Sequence, residues 1–261
     1  MTLKKMILKK LRTMKKLRDL WSNPYSKFTL ISSLLLIAAT ISSVYSIILQ
    51  QNYHILWWIF FVTHFLGGIE SVYYHRYLSH RSWQPPKWLE YIFLTIGAGF
   101  HNLPAMFYAG GHRIHHKYSD VDGDIAGPTL SFKENLHVAV GGSPEVPFQY
   151  LKDMVEDKHL IFQTVHYWSI LAAVGFIWSL FFGLDVFLFI VLVSRLYMLL
   201  INYTFHYFKS PWGGRDNRIM YVLGLTGEWL HEKHHIKPGD PKLGGMFDIY
   251  YWLFVKHFPK N

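Results

Sequence analysis

The chain has 261 residues, of which 51% are hydrophobic and 18% aromatic, carries a net charge of +9, and contains no cysteine. A chain of this length makes one domain or at most two. Without cysteine, disulfides, thiolate ligands and cysteine nucleophiles are excluded, so any metal must be held by nitrogen and oxygen.

The charge is concentrated at one end. Residues 1–28 hold nine Lys/Arg and one acid. In the run KKMILKKLRTMKKLRDLW, apolar residues interleave with bases at helical spacing. This suits a positive-inside topology signal or a basic helix on anionic lipid. A membrane segment follows directly, so no nucleic-acid partner and no cleaved leader is expected.

Residues 29–49 carry no charge and predict a first transmembrane helix of the length a bilayer demands. Gln50, Gln51 and Asn52 predict a tight turn, and residues 54–74 a second span with Glu70 near its end. Residues 88–108 are apolar but interrupted by Glu90, Gly97, Gly99, His101, Asn102 and Pro104, which predicts an interfacial or re-entrant helix. Residues 117–159 are polar and rich in Gly and Pro, a loop with short helices. Residues 160–183 and 184–206 predict a second hairpin joined at Gly183-Leu184-Asp185. The fold class expected is an all-α integral membrane protein: a basic segment 1–28, then one membrane domain over 29–261.

Three histidine clusters stand out: His75-Arg-Tyr-Leu-Ser-His80, His112-Arg-Ile-His115-His116 and His231-Glu-Lys-His234-His235. Eight clustered imidazoles are too many for one four-coordinate zinc and suggest two metals. The i, i+3, i+4 spacing of the second and third clusters puts their rings on one face of a helix. The i, i+5 spacing of the first does not, and calls for a helix end or for ligands aimed at two metals. Asn202 and His206 are i, i+4 near the end of the fourth span, where polar groups are costly and usually functional. Nine imidazoles and one amide suit two iron ions with positions open to oxygen. The remaining, isolated histidines (His54, His64, His101, His137, His159, His166 and His257) are expected to be structural. Two spans precede the first and second clusters and two more precede the third, so all three are expected on one membrane face. The basic N-terminus makes that face cytoplasmic.

His231-Glu232-Lys233-His234-His235 also reads H-E-x-x-H, the zinc-protease pattern with Glu232 as general base. That competing reading, a membrane zinc metalloprotease, leaves six clustered histidines without a role.

The stretches HRYLSH, HRIHHKYSDVDGD, INYTFH and GEWLHEKHH resemble, in order and spacing, the histidine boxes of the membrane fatty acid desaturases of the stearoyl type. The resemblance covers residues 30–257. It implies four transmembrane helices in two hairpins, with a cytosolic helical cap holding a di-iron centre. It implies His75, His80, His112, His115, His116, His206, His231, His234 and His235 as iron ligands, and Asn202 as a ligand through water. The implied reaction is O2-dependent insertion of a cis double bond, of delta-9 type, into a saturated acyl chain. The same ligands also serve lipid hydroxylases. Implied partners are an acyl-CoA, acyl-carrier-protein or phospholipid substrate and a separate electron donor, a ferredoxin or b-type cytochrome. The animal acyl-CoA enzymes carry an Arg-Asp pair before the second box, where this chain has Gly110-Gly111, so free acyl-CoA is expected to be a poor substrate.

Overall fold

The computed structural model describes residues 24–100, 103–139, 146–207, 215–218, 220 and 227–260. The basic run at the N-terminus and the interrupters His101 and Asn102 lie outside them. The described residues are helical, and their one strand-like pairing is a single bridge between Trp83 and Pro259.

Helix α1, Pro24–Val44, continues through one π-helical turn, Tyr45–Leu49. Gln51, at φ 54°, makes the tight turn into α2, Tyr53–Ser79. Then come α3 (Lys87–Phe100), α4 (Ala105–Tyr118), α5 (Phe132–Ala139), α6 (Lys158–Val165) and α7 (Tyr167–Phe182). Gly183, at φ 95°, supplies a turn that L side chains rarely adopt and leads into α8, Leu184–Tyr207. Two short helices follow, α9 (His231–Ile236) and α10 (Ile249–Leu253).

Three of these helices are long and apolar enough to cross a membrane: the Ile31–Leu49 stretch, α2 and α8. The expected third span is broken. α6 and α7 meet at His166 with a bend of 74°, and count as a fourth crossing only if taken together. His166 leaves helical geometry at φ −103°, ψ 17°. Leu160 on α6 is drawn instead into the core cluster of α2, α3 and α4. The predicted hairpin at Gly183 forms where expected.

The outer faces are apolar. Leu34, Ile41 and Ile48 on α1, Trp57 on α2, and Phe176 and Phe181 on α7 are all exposed. In water such surface would be a liability, whereas against lipid it is the expected surface. Two buried clusters fill the interior. One joins α2, α3 and α4 through Val72, Tyr74, Phe93, Met106 and Phe107. The other joins α2, α7 and α8 through Val62, Leu66, Leu171, Phe187 and Ile190. Gly97 admits the Tyr74 ring and Gly175 the Phe187 ring, each within 2.6 Å of where a Cβ would stand.

The two tight turns lie at the same end. Ser46, beside the first, donates to Asp185 Oδ2, beside the second, at 3.1 Å. The histidine-bearing ends of α2 and α8 therefore point the other way, together. Arg113 of α4 secures that end of α2 by donating to the carbonyls of Ser79 and Leu78 at 3.0 and 2.6 Å.

The C-terminal segment is locked to α2 by a dry ion pair. Arg76 Nη1 and Asp248 Oδ2 are 2.9 Å apart, with side chains 1% and 0% exposed. Asp248 also accepts from the backbone of Leu243 and Tyr251 at 3.0 Å. Removing one partner of a buried pair strands the other charge, at a cost of about 3–5 kcal/mol. Asp248→Asn is expected to lower the thermal midpoint of the detergent-solubilised protein sharply, as followed by circular dichroism. An unchanged midpoint would show that the pair contributes nothing net.

Candidate metal centre

The first cluster reaches its geometry through an unusual winding. Glu70–Ser79 is π-helical, and the His80 amide donates to the His75 carbonyl at 3.2 Å, an i→i+5 bond. Such windings are rare and occur often at functional sites. Widening the turn brings residues five apart onto one face, so His75 and His80 meet with ring centroids 5.0 Å apart. They face one site, not two, which removes one of the two options left by the i, i+5 spacing.

Nine histidines gather into two groups. His75, His80, His112, His116 and His234 form one, and His115, His206, His231 and His235 the other. Within each, one nitrogen per ring lies within 4.8 Å of all the rest. The second and third clusters are thus shared out. On α4 the i, i+4 pair His112 and His116 serves the first group and His115 the second. On α9 the i, i+4 pair His231 and His235 serves the second and His234 the first. The helix face expected from spacing is real, but it is broad enough to address two centres. None of the described isolated histidines belongs to either group. His64, for example, meets its own helix at the Phe60 carbonyl, 3.2 Å away, and His159 meets the Tyr91 hydroxyl at 3.0 Å.

The outer nitrogens are held by acids and a hydroxyl. His75 Nδ1 donates to Glu228 at 2.9 Å, His115 Nδ1 to Asp124 at 2.8 Å, and His206 Nδ1 to Asp120 at 3.0 Å. Ser119 Oγ pairs with His235 Nδ1 at 3.1 Å. A carboxylate on Nδ1–H fixes the tautomer and leaves Nε2 as a lone pair directed inward. These Nε2 atoms face one another: His75 and His116 both meet His234 at 2.8 Å, and His206 and His235 both meet His231 at 3.1 Å. One imidazole has at most one proton to place between two such neighbours. His115 Nε2, the inward nitrogen of a ring whose Nδ1–H is held by Asp124, is buried without a partner among the described residues. A buried lone pair with no donor is costly. A cation at each centre removes that cost, and an all-nitrogen donor set suits iron, zinc, copper or nickel. The residues therefore fit metal.

Burial and neighbouring imidazoles push His80, His112, His116, His231, His234 and His235 well below the ordinary histidine range, so these rings stay neutral. Burial works against the ionised form of Asp120, but His206 and Arg215 prevail and hold it at about 2. Asp124 is also held low, with His115 and two backbone amides overcoming its burial.

Between the groups opens a cavity of about 190 Å³ touching His75, His112, His115, His206 and His231. Leu103, Phe107, Val138, Met198, Leu199 and Phe205 form its walls. A smaller void of about 20 Å³, lined by Val62, Leu66 and Phe100, lies deeper among the spans. The two share Gly67, Glu70, Tyr197 and Met198. Asn202 lines the main cavity, and its Nδ2 donates to Asn135 Oδ1 at 3.0 Å. Spacing arguments passed over Asn135, Asp120, Asp124, Glu228 and Arg215. The acids flanking the clusters, in SDVDGD and GEWLH, were the available signal for three of them.

No family model matches the chain. Curated relatives do. Over 195 residues, 69% of each chain, it is 32% identical to the sn-1 stearoyl-lipid 9-desaturase of Anabaena variabilis. The chain belongs to the membrane fatty acid desaturases. It is also 32% identical over 187 residues to the sn-1 stearoyl-lipid 9-desaturase of a Synechocystis species, matching 65% of this chain and 57% of that one. To the sn-2 palmitoyl-lipid 9-desaturase of a Nostoc species it is 30% identical over 202 residues, 69% of each.

The zinc-protease pattern fails on geometry. Glu232 faces Arg215, which donates to it from its backbone at 3.1 Å and from Nη1 at 3.0 Å, and Glu232 joins neither histidine group. Gly111 lines the cavity, and Gly110 packs against Val146 and Leu151 with no room for a larger side chain.

Losing a carboxylate behind a ligand costs roughly 10–100-fold in metal affinity. Asp124→Asn is expected to lower retained metal by that order while the fold persists, as read by elemental analysis after dialysis against a weak chelator. Full retention would remove Asp124 from any role in tautomer control. The pH response of the metal-free protein follows from the depressed histidines. Their folded values lie below the unfolded value of about 6.5, so below that pH the unfolded chain binds more protons. Stability is therefore flat above about pH 6.5 and falls as the pH drops below it. Thermal melts of chelator-treated protein between pH 8 and 5 check this, and a midpoint that rises on acidification would contradict it.

Proposed function

We propose that this chain is an acyl-lipid desaturase that introduces a delta-9 cis double bond into a saturated, membrane-lipid-bound acyl chain. The observation that carries the proposal is the pair of histidine groups, five rings and four, opening onto one apolar cavity. Relatives named stearoyl-lipid and palmitoyl-lipid 9-desaturases support the substrate class. Each group would hold one iron, and Asn202 would join the second through a water. Bound iron supplies the redox chemistry with O2 that no side-chain acid or base provides at an unactivated C–H bond. In the overall balance two neighbouring methylenes each lose a hydrogen. With two electrons and two protons from outside, O2 becomes two waters. A separate ferredoxin or b-type cytochrome delivers the electrons.

The chain's own groups prepare the site. Glu228, Asp124 and Asp120 keep the Nδ1 protons outward and the Nε2 lone pairs inward. Leu103, Phe107, Met198 and Phe205 exclude water and guide the methylene chain past the histidines. Glycine at positions 110 and 111 leaves no charged clamp there for a nucleotide carrier and favours a lipid-borne acyl group over acyl-CoA. Residues 29–261 form one membrane domain of four crossings in two hairpins, with α6 and α7 counted as one. The shared end of both tight turns supports this topology. The histidine-bearing cap and the basic segment 1–28 lie on the cytoplasmic face.

Expression in a bacterial host with fatty-acid profiling tests the reading. New cis-9 monoenes in membrane lipids are expected, with hydroxylated chains or no change as the contrary results. Purified, iron-replete protein is expected to hold two irons per chain, whereas one tight zinc would overturn that count. His80→Ala, His116→Ala, His234→Ala and His231→Ala each abolish the product, and Glu232→Gln preserves most of it. Purified enzyme supplied with electrons turns over lipid-bound chains and leaves stearoyl-CoA nearly untouched.

A further inference from the structure

Beyond the histidine centre, residues 246–253 carry an exposed apolar surface that neither core cluster explains. Met246 is 74% exposed, Phe247 48%, Ile249 39%, Trp252 40% and Leu253 59%. This surface is anchored to a membrane-crossing helix. The Tyr250 hydroxyl donates to the His64 carbonyl on α2, and its ring lies where a Cβ on Gly68 would stand. His64 lies near the middle of α2, and Gly68 just beyond it toward the histidine-bearing end. Ser79 ends that helix fifteen residues after His64, at most ~22 Å along the axis at an α-helical rise. Asp248, which caps α10, pairs with Arg76 beside His75, so α10 starts level with the histidine-bearing end of the span and its Tyr250 hydroxyl reaches down to His64.

Two ammonium groups sit over one indole. Lys242 Nζ is 4.5 Å and Lys256 Nζ 5.0 Å from the centroid of Trp252. Trp252 Nε1 donates to the Met246 carbonyl at 3.1 Å, which fixes the ring. Neither lysine makes an ion pair among the described residues, and two acids close by in sequence are engaged elsewhere: Asp240 with Lys233 at 2.9 Å, and Asp248 with Arg76. Aromatic rings with adjacent lysines settle at the headgroup level, with apolar side chains below.

We infer that residues 242–256 form a lipid-docking foot in the leaflet on the histidine side, with Met246, Phe247, Ile249 and Leu253 among the acyl chains and the Lys242–Trp252–Lys256 cluster attracting the phosphate of an anionic phospholipid. The partner is the bilayer, because the apolar surface continues from a span and the free charges above it are cationic. The inference uses the membrane placement of the preceding section and none of its redox chemistry.

The absence of native cysteine makes a single introduced one a unique label site. Leu253→Cys, labelled with bimane, is reconstituted one chain per nanodisc, so that no second copy can cover the surface. Lipids brominated along the acyl chain are expected to quench this label strongly and to leave the exposed control Asp122→Cys unquenched. In equimolar discs, brominated phosphatidylglycerol is expected to quench more than brominated phosphatidylcholine, with a local enrichment of roughly fivefold for one lysine's worth of attraction. Adding Lys242→Gln and Lys256→Gln brings that ratio to one. A label at 253 that is open to aqueous iodide and silent to brominated lipid overturns the inference. So does equal quenching by the two lipids, or a ratio that ignores the lysines. Fatty-acid profiles are read separately, so failure here leaves the desaturase reading intact.

Discussion

Mutually facing imidazole nitrogens in a dry pocket constrain the rest of this structure. Lone pairs at 2.8–3.1 Å repel unless something positive lies between them. The protein takes on that repulsion in several ways at once. Acids draw the outer protons away, α2 rewinds to bring His75 beside His80, and α4 and α9 each divide their rings between two centres. Together they shape two histidine groups, each of which could hold a cation. The two ends of α2 illustrate the division of labour, with an apolar stretch suited to lipid and a histidine-bearing turn that could hold a metal.

Much of this was legible in the sequence. Apolar stretches of bilayer length marked α1, α2 and α8, and Gly183 marked the turn between α7 and α8. The order and spacing of the clusters marked eight of the nine histidines that converge, and the i, i+4 pair Asn202 and His206 marked the ninth. Less was legible where local pattern and tertiary packing disagree. Hydropathy cannot see that Leu160 belongs to a core while Phe176 faces outward, so the break at His166 was hidden within one apolar run. Periodicity of 3.6 residues cannot anticipate a π-helical stretch, which left His75 and His80 without a shared face. The acids behind the ligands were visible as letters but not as partners, because Glu228 reaches back across 153 positions to His75.

Charge is handled by location. The most buried pair among the described residues, Arg76 with Asp248, holds the C-terminal segment to α2, while Arg113 and Arg81 share Asp153 at the surface. The first pair links the foot beside the span to the turn that carries His75, because Arg76 also donates to Ser71 at 3.3 Å and Ser71 donates to Glu228. Lipid contact and the outermost support of a histidine thus sit at the two ends of one hydrogen-bonded chain.

The rewound turn of α2 bears on how this gene can vary. On a regular helix, residues five apart point about 140° away from each other. The box therefore depends on the number of residues between its histidines as much as on their identity. Many letters between 75 and 80 can change while the winding persists. A deletion or duplication of one codon there would restore ordinary pitch or overshoot it, turning one ring away from the centre. Single-residue indels in this stretch should be rarer among functional descendants than substitutions at the same positions.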